Sequence, residues 1–107
     1  MDVRMTTRHV DLSDTFRKLA EERVQKLGKY EPRLIAVDLI FEDDHGRFTT
    51  EARADVPGRP PLVARTAADG RRKSLDQTLR KLSRQLRRER SKLTEHQAPP
   101  VAVLPKE

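Results

Sequence analysis

Five leucines constrain this chain more than any other feature. Leu75, Leu79, Leu82, Leu86 and Leu93 fall within about 60° of one another on a wheel turning ~100° per residue. A stripe of that length cannot face water, so it specifies a long helix lying on an apolar surface. On the opposite side Lys73, Arg80, Lys81, Arg84, Arg87, Arg88 and Lys92 occupy an arc of about 140°, and between residues 71 and 92 no acidic residue falls within it. Solvated helices intersperse Glu with Lys, because each i,i+4 pair adds roughly 0.2–0.5 kcal/mol. Here like charges sit three and four residues apart and repel. Phosphate offsets that repulsion, since guanidinium groups bind it bidentately and also stack on bases. Two plainer readings compete: a helix made soluble by charge alone, and a coiled-coil seam. The seam needs the same leucines that must cover the rest of the fold.

Upstream, the pattern alternates between strand and helix periods. Residues 2–8 place Val3, Met5 and Thr7 on one side and Arg4, Thr6 and Arg8 on the other, a strand signature. Ser13 is an N-cap, and Phe16, Leu19, Ala20, Val24 and Leu27 follow at helical spacing, which predicts a helix from Asp14 to Lys29 ended by Gly28 and Pro32. Ile35 to Asp43 reads as a second strand with Ile35, Val37, Leu39 and Phe41 facing inward, closed by the turn cluster Asp43-Asp44-His45-Gly46. Phe48, Thr50, Ala52, Ala54 and Val56 alternate as a third strand, and Leu62, Ala64 and Thr66 as a fourth after the Pro57–Pro61 turn. The expected fold class is α+β: a single β-α-β-β-β-α domain over residues 1–96, a four-stranded sheet with two helices on one face. It resembles the double-stranded-RNA-binding-domain-like fold. Residues 97–107, with three prolines and no periodicity, read as a flexible tail.

Composition removes most catalytic chemistry. At 107 residues there is room for one thin core, and the only aromatic side chains are Phe16, Tyr30, Phe41 and Phe48. With no cysteine there is no thiolate nucleophile, disulfide or cysteine-ligated zinc. His9, His45 and His96 lack ligand-spaced partners, and Asp43, Asp44 and His45 are neighbours in a turn rather than a convergent metal set. No glycine-rich phosphate loop or nucleophilic serine context appears. The expectation is a protein that is not an enzyme, with no cofactor, no metal, no small-molecule substrate and no membrane partner, at work in the cytoplasm as a monomer. Net charge is +6, but residues 71–92 hold ten basic and two acidic side chains, so that segment carries +8 and the remainder −2. A local excess of this kind is the footprint of a polyanion partner. The first helix adds Arg23, Lys26 and Lys29 on its C-terminal half.

Three stretches carry a family resemblance. Thr7-Arg8-His9-Val10-Asp11-Leu12-Ser13 joins the first strand to the first helix, and Lys26-Leu27-Gly28-Lys29-Tyr30 closes that helix. Leu75-Asp76 followed by Lys81-Leu82-Ser83-Arg84-Gln85-Leu86 lies in the last helix. In this order and spacing, from Met1 to about Lys92, the chain is similar to the ribosome hibernation-promoting and ribosome-associated translation-inhibitor proteins. The resemblance implies the β-α-β-β-β-α fold and a partner, the small ribosomal subunit and its RNA, bound in the mRNA and tRNA channel so that translation is blocked sterically in stress and stationary phase. It implies that Arg23, Lys26 and Lys29 of the first helix face ribosomal RNA, with Lys81, Arg84, Arg88 and Lys92 of the second. Two departures stand out. Gly70 and Arg72 occupy positions where the family usually has an acidic residue and a tyrosine, and the short tail resembles the family's short forms rather than those with a C-terminal dimerisation domain. A generic duplex-RNA-binding module and a basic protein-interaction module are the alternatives.

Overall fold

A computed structural model describes residues 1–97 of the chain, with side chains as far as Glu89. Most of the expected tail, and the side chains of Lys92 and Leu93, lie outside the described residues. The elements are β1 (Asp2–Arg8), α1 (Asp14–Gln25) continuing into a 3₁₀ turn (Lys26–Lys29), β2 (Ala36–Asp44), β3 (Arg47–Asp55), β4 (Leu62–Ala68) and α2 (Arg71–Gln97). They build one four-stranded mixed sheet in the order β1-β2-β3-β4, with both helices on one face. β1 and β2 are parallel, because α1 crosses over the sheet between them; the other pairs are antiparallel and need only tight connections.

The periodicities of the sequence explain these elements. Ser13 caps α1, its Oγ accepting from the Phe16 backbone N–H at 3.1 Å. Phe16, Ala20, Val24 and Leu27 point into the core beside Val37, Leu39, Phe41, Phe48, Ala52 and Ala54 of the sheet. Leu75, Leu79, Leu82 and Leu86 of α2 close the core over β3 and β4, as the leucine stripe requires. The hairpin between β2 and β3 is a two-residue turn, His45–Gly46, with φ of 53° and 88°. Two positive φ values are what a hairpin turn matched to strand twist demands, and Gly46 meets the second without strain. Asp43 and Asp44 therefore belong to β2 rather than to the turn.

Two expectations are corrected. The sequence alternation places Ile35 on the inner face, but it is 56% exposed. The pleat that alternates side chains begins only at Ala36, so the alternation cannot be extended back to Ile35, and Leu34 is buried instead. The first helix does not remain α-helical to Lys29. It tightens over Lys26–Lys29, where three residues per turn bring Lys26 and Lys29 onto the same side.

Under α2 the inner face is wider than its leucines. Ser74, Thr78 and Ser83 are buried as well. Ser74 Oγ donates to Thr50 Oγ1 at 2.8 Å and lies 3.2 Å from the Thr66 carbonyl, Thr66 Oγ1 donates to the Ser74 carbonyl at 3.0 Å, and Thr78 Oγ1 donates to the Thr50 carbonyl at 3.1 Å. The hydroxyls of Thr66 and Thr78 are 2.6 Å apart. This network pins the start of α2 to β3 and β4. Replacing Ser74 by Ala leaves Thr50 without its donor, and chemical denaturation should register a loss of about 1–3 kcal/mol.

Candidate nucleic-acid interface

The two faces of the molecule differ in charge. On the open face of the sheet the strand register interleaves opposite signs. Arg4 lies beside Asp38 and Asp38 beside Arg53; Glu51 lies beside Arg65, and Arg8 beside Glu42. Arg4 Nε is 2.9 Å from Asp38 Oδ1, and Arg65 Nη1 is 3.8 Å from Glu51 Oε1. Fields of alternating sign cancel over a few ångströms, so this face offers little to a polyanion.

The helix face is built differently. Lys73, Arg80, Lys81, Arg84, Arg87 and Arg88 are all exposed along α2. The two carboxylates of this stretch, Asp76 and Glu89, lie at the margins of the helix and are each engaged by an arginine from elsewhere. Arg23 of α1 pairs with Asp76, and Arg59 from the loop between β3 and β4 pairs with Glu89. Both acids are thereby neutralised, and the arc keeps its full positive charge. Among the described residues Arg80, Arg84, Arg87 and Arg88 make no ion pair; Lys73 lies 3.6 Å from Asp69 in an exposed i,i+4 pair. Exposed pairs of that kind contribute little and yield readily to a stronger anion.

The structure divides the expected site residues. Arg23 is turned toward α2 by Asp76, so it joins the two helices. Lys26 and Arg80 both line a groove between α1 and α2, of about 440 Å³, whose lining also includes Tyr30 and Ser83. Lys29 is exposed on the 3₁₀ turn. Arg87 stands over the Tyr30 ring at 5.2 Å, a cation–π contact that ties the end of α1 to the middle of α2. Lys81 leans the other way, its Nζ 3.4 Å from the Arg65 carbonyl at the β4 edge. Gln85 Nε2 reaches the Val63 carbonyl at 3.0 Å and Arg47 Nη2 the Ala67 carbonyl at 3.2 Å. Three alternate carbonyls of this edge are thus occupied by side chains, which blunts strand-to-strand association. The side chain of Lys92 lies outside the described residues.

The sequence shows neither the pairing of Arg59 with Glu89, nor that of Asp76 with Arg23, nor the contact of Tyr30 with Arg87. Two acids among ten bases were the available signal, because each needs a cation that keeps it from cancelling the arc. At the start of α2, Gly70 receives a hydrogen bond at its carbonyl from Ser74 N–H at 3.0 Å, and Arg71 lies over the Phe48 ring at 5.6 Å. An arginine–aromatic contact therefore anchors the first turn. Among the described residues there is no cluster of three or more metal-ligating side chains, and no helix long and apolar enough to cross a membrane.

A mixed β-α-β-β-β-α sheet with two helices on one face, the longer of them strongly cationic, and a charge-balanced opposite face defines a recognisable class of small α+β proteins. The chain belongs to the Sigma 54 modulation protein / S30EA ribosomal protein family, whose sequence model matches residues 3–94. It is 30% identical over 86 residues to the ribosome-associated factor Y of Haemophilus influenzae, spanning 80% of this chain and 79% of that one. Its fold matches a ribosomal subunit interface protein from Coxiella burnetii with a TM-score of 0.79, at 24% identity over 85% of this chain and 99% of the other. It also matches the N-terminal domain of Protein Y from Thermus thermophilus, with a TM-score of 0.74 at 17% identity over 82% and 98% of the two chains.

Proposed function

We propose that this protein is a ribosome hibernation factor that binds small-subunit ribosomal RNA in the mRNA and tRNA channel and blocks translation by occupying it. The observation that carries this reading is the unneutralised cationic arc of α2, kept clear of acid by Arg23 and Arg59. A folded polyanion is the partner that such a face fits, and the ribosome-associated relative makes ribosomal RNA the natural choice. Lys73, Arg80, Lys81, Arg84, Arg87 and Arg88, with Lys26 and Lys29, supply the phosphate contacts; Arg23 acts through Asp76, and Lys92 joins them by its spacing in the sequence. The inhibition is steric, so no bond is made or broken and no enzyme activity, cofactor or small-molecule substrate enters. In this reading residues 1–96 form the ribosome-binding domain, and the protein is a cytoplasmic monomer away from the ribosome, at work in stress and stationary phase.

Sedimentation of the purified chain with separated ribosomal subunits, over a salt series, tests the proposal. One equivalent should co-sediment with the small subunit and be released steeply by salt. A free RNA duplex of about 16 base pairs should compete poorly. If the duplex competes as well as the subunit, the protein is a general duplex binder; if neither is bound at low salt, the proposal fails.

A further inference from the structure

The groove between α1 and α2 has a composition that phosphate binding alone does not call for. Its floor is apolar, from Leu27 and Leu79, and the Tyr30 ring, 41% exposed, lines it. Lys26 and Arg80 supply positive charge at the lining, while Asp76 and the largely buried Ser83 bring a carboxylate and a hydroxyl into the same space. A groove meant only for phosphate would exclude Asp76. Its pairing with Arg23 reduces the electrostatic penalty of keeping it there, and a carboxylate retains acceptor capacity beyond one guanidinium partner. At about 440 Å³ the space falls within the roughly 300–1,000 Å³ of sites that hold small organic ligands.

We infer that this groove receives one unstacked, amino-bearing base of single-stranded RNA, laid against Tyr30 with its flanking phosphates on Lys26 and Arg80 and its exocyclic amine donating to Asp76. The inference rests on the RNA-binding reading above and specifies which nucleotide feature that face selects. Single-stranded RNA is recognised by splaying a base out, stacking it on an aromatic ring and reading its edge. An Asp accepts from the cytosine N4 amine. Uracil presents carbonyls on either side of its single ring N–H, and one of them would oppose the carboxylate. The groove therefore favours cytosine over uracil, whereas the outer arc of α2 is indifferent to sequence.

The chain carries its own reporter. Tyr30 is the only tyrosine and there is no tryptophan, so ultraviolet emission reports on this groove. The experiment titrates the full chain with cytidine and uridine hexanucleotides, following Tyr30 emission and the anisotropy of end-labelled oligonucleotide. The cytidine hexamer should quench Tyr30 and bind about tenfold more tightly than the uridine hexamer. Tyr30→Ala should weaken the cytidine hexamer about tenfold, the scale of one lost base–aromatic stack, while Tyr30→Phe keeps the affinity. Asp76→Asn should erase the preference, because an amide serves either base. Equal affinities for the two hexamers, no quenching, and unchanged binding by Tyr30→Ala would overturn the groove assignment. Co-sedimentation with the small subunit separates the two ideas. Ribosome binding without base preference sinks the groove alone, and base preference without ribosome binding sinks the ribosomal reading alone.

Discussion

Replacing Arg80, Arg84 and Arg88 together by glutamine should weaken small-subunit binding on the order of a hundredfold at physiological salt, and flatten its salt dependence by about 2–3 in the slope of log K against log salt. The slope follows from counterion release, which contributes roughly 0.7–0.9 per phosphate neutralised. All three side chains are exposed, and none makes an ion pair among the described residues, so each is available to phosphate. The same absence of partners predicts that the fold will not suffer. Removing like charges three and four residues apart relieves a repulsion of a few tenths of a kcal/mol per pair, so the melting temperature should hold or rise slightly. Subunit sedimentation and thermal unfolding of the variant measure the two effects separately. Undiminished binding would mean that the cationic arc is not the contact, and the charge-balanced sheet face would have to be considered in its place. Arg23 makes an informative contrast. Its substitution should also free Asp76 inside the interface, so its effect on binding should exceed that of one lost phosphate contact.

These distinctions mark where the sequence was legible and where it was not. The leucine stripe of α2 could be read because inward-facing positions on a helix repeat at a fixed angle, and Leu75, Leu79, Leu82 and Leu86 are all buried as that angle requires. The same wheel could not place Ser74, Thr78 and Ser83. Small hydroxyl residues are equally at home at caps, on surfaces and in cores. Ser74 and Thr78 are decided by Thr50 and Thr66, which lie 8–28 residues away along the chain and meet them only once the sheet is assembled. The basic arc was legible as a local charge excess, yet the role of Arg23 was not, because its partner Asp76 is brought near by helix packing rather than by spacing. The helix that ends in a 3₁₀ turn and the outward Ile35 share a cause: periodicity fixes the middle of an element, while its last turn or first residue answers to the neighbours it joins.

Phe41→Ala should remove about 3–5 kcal/mol of stability, the largest effect expected of a single substitution in this molecule. Phe41 is fully buried on β2, where its ring meets Phe16 of α1 at 5.7 Å and Phe48 of β3 at 6.0 Å. The Phe16 and Phe48 rings stand 6.5 Å apart, so the three form one cluster holding the crossover helix to the sheet. Three of the chain's four aromatic side chains are spent there, and much of the remaining core is alanine, valine and leucine. Alanine at position 41 forfeits both edge-to-face and tilted ring contacts and opens a cavity that Thr50, its partner across β3, is too small to fill. For a domain of this size each kcal/mol corresponds to about 4–8 °C in melting temperature, so the midpoint should fall by roughly 15–30 °C. Phe41 lies under the helices and touches no part of the cationic arc. At a temperature where the variant remains folded, its affinity for the small subunit should therefore match the parent's, and any deficit on warming should track the unfolded fraction. A fall in affinity that precedes unfolding would show that the aromatic cluster also sets the spacing of α1 and α2, on which the groove between them depends.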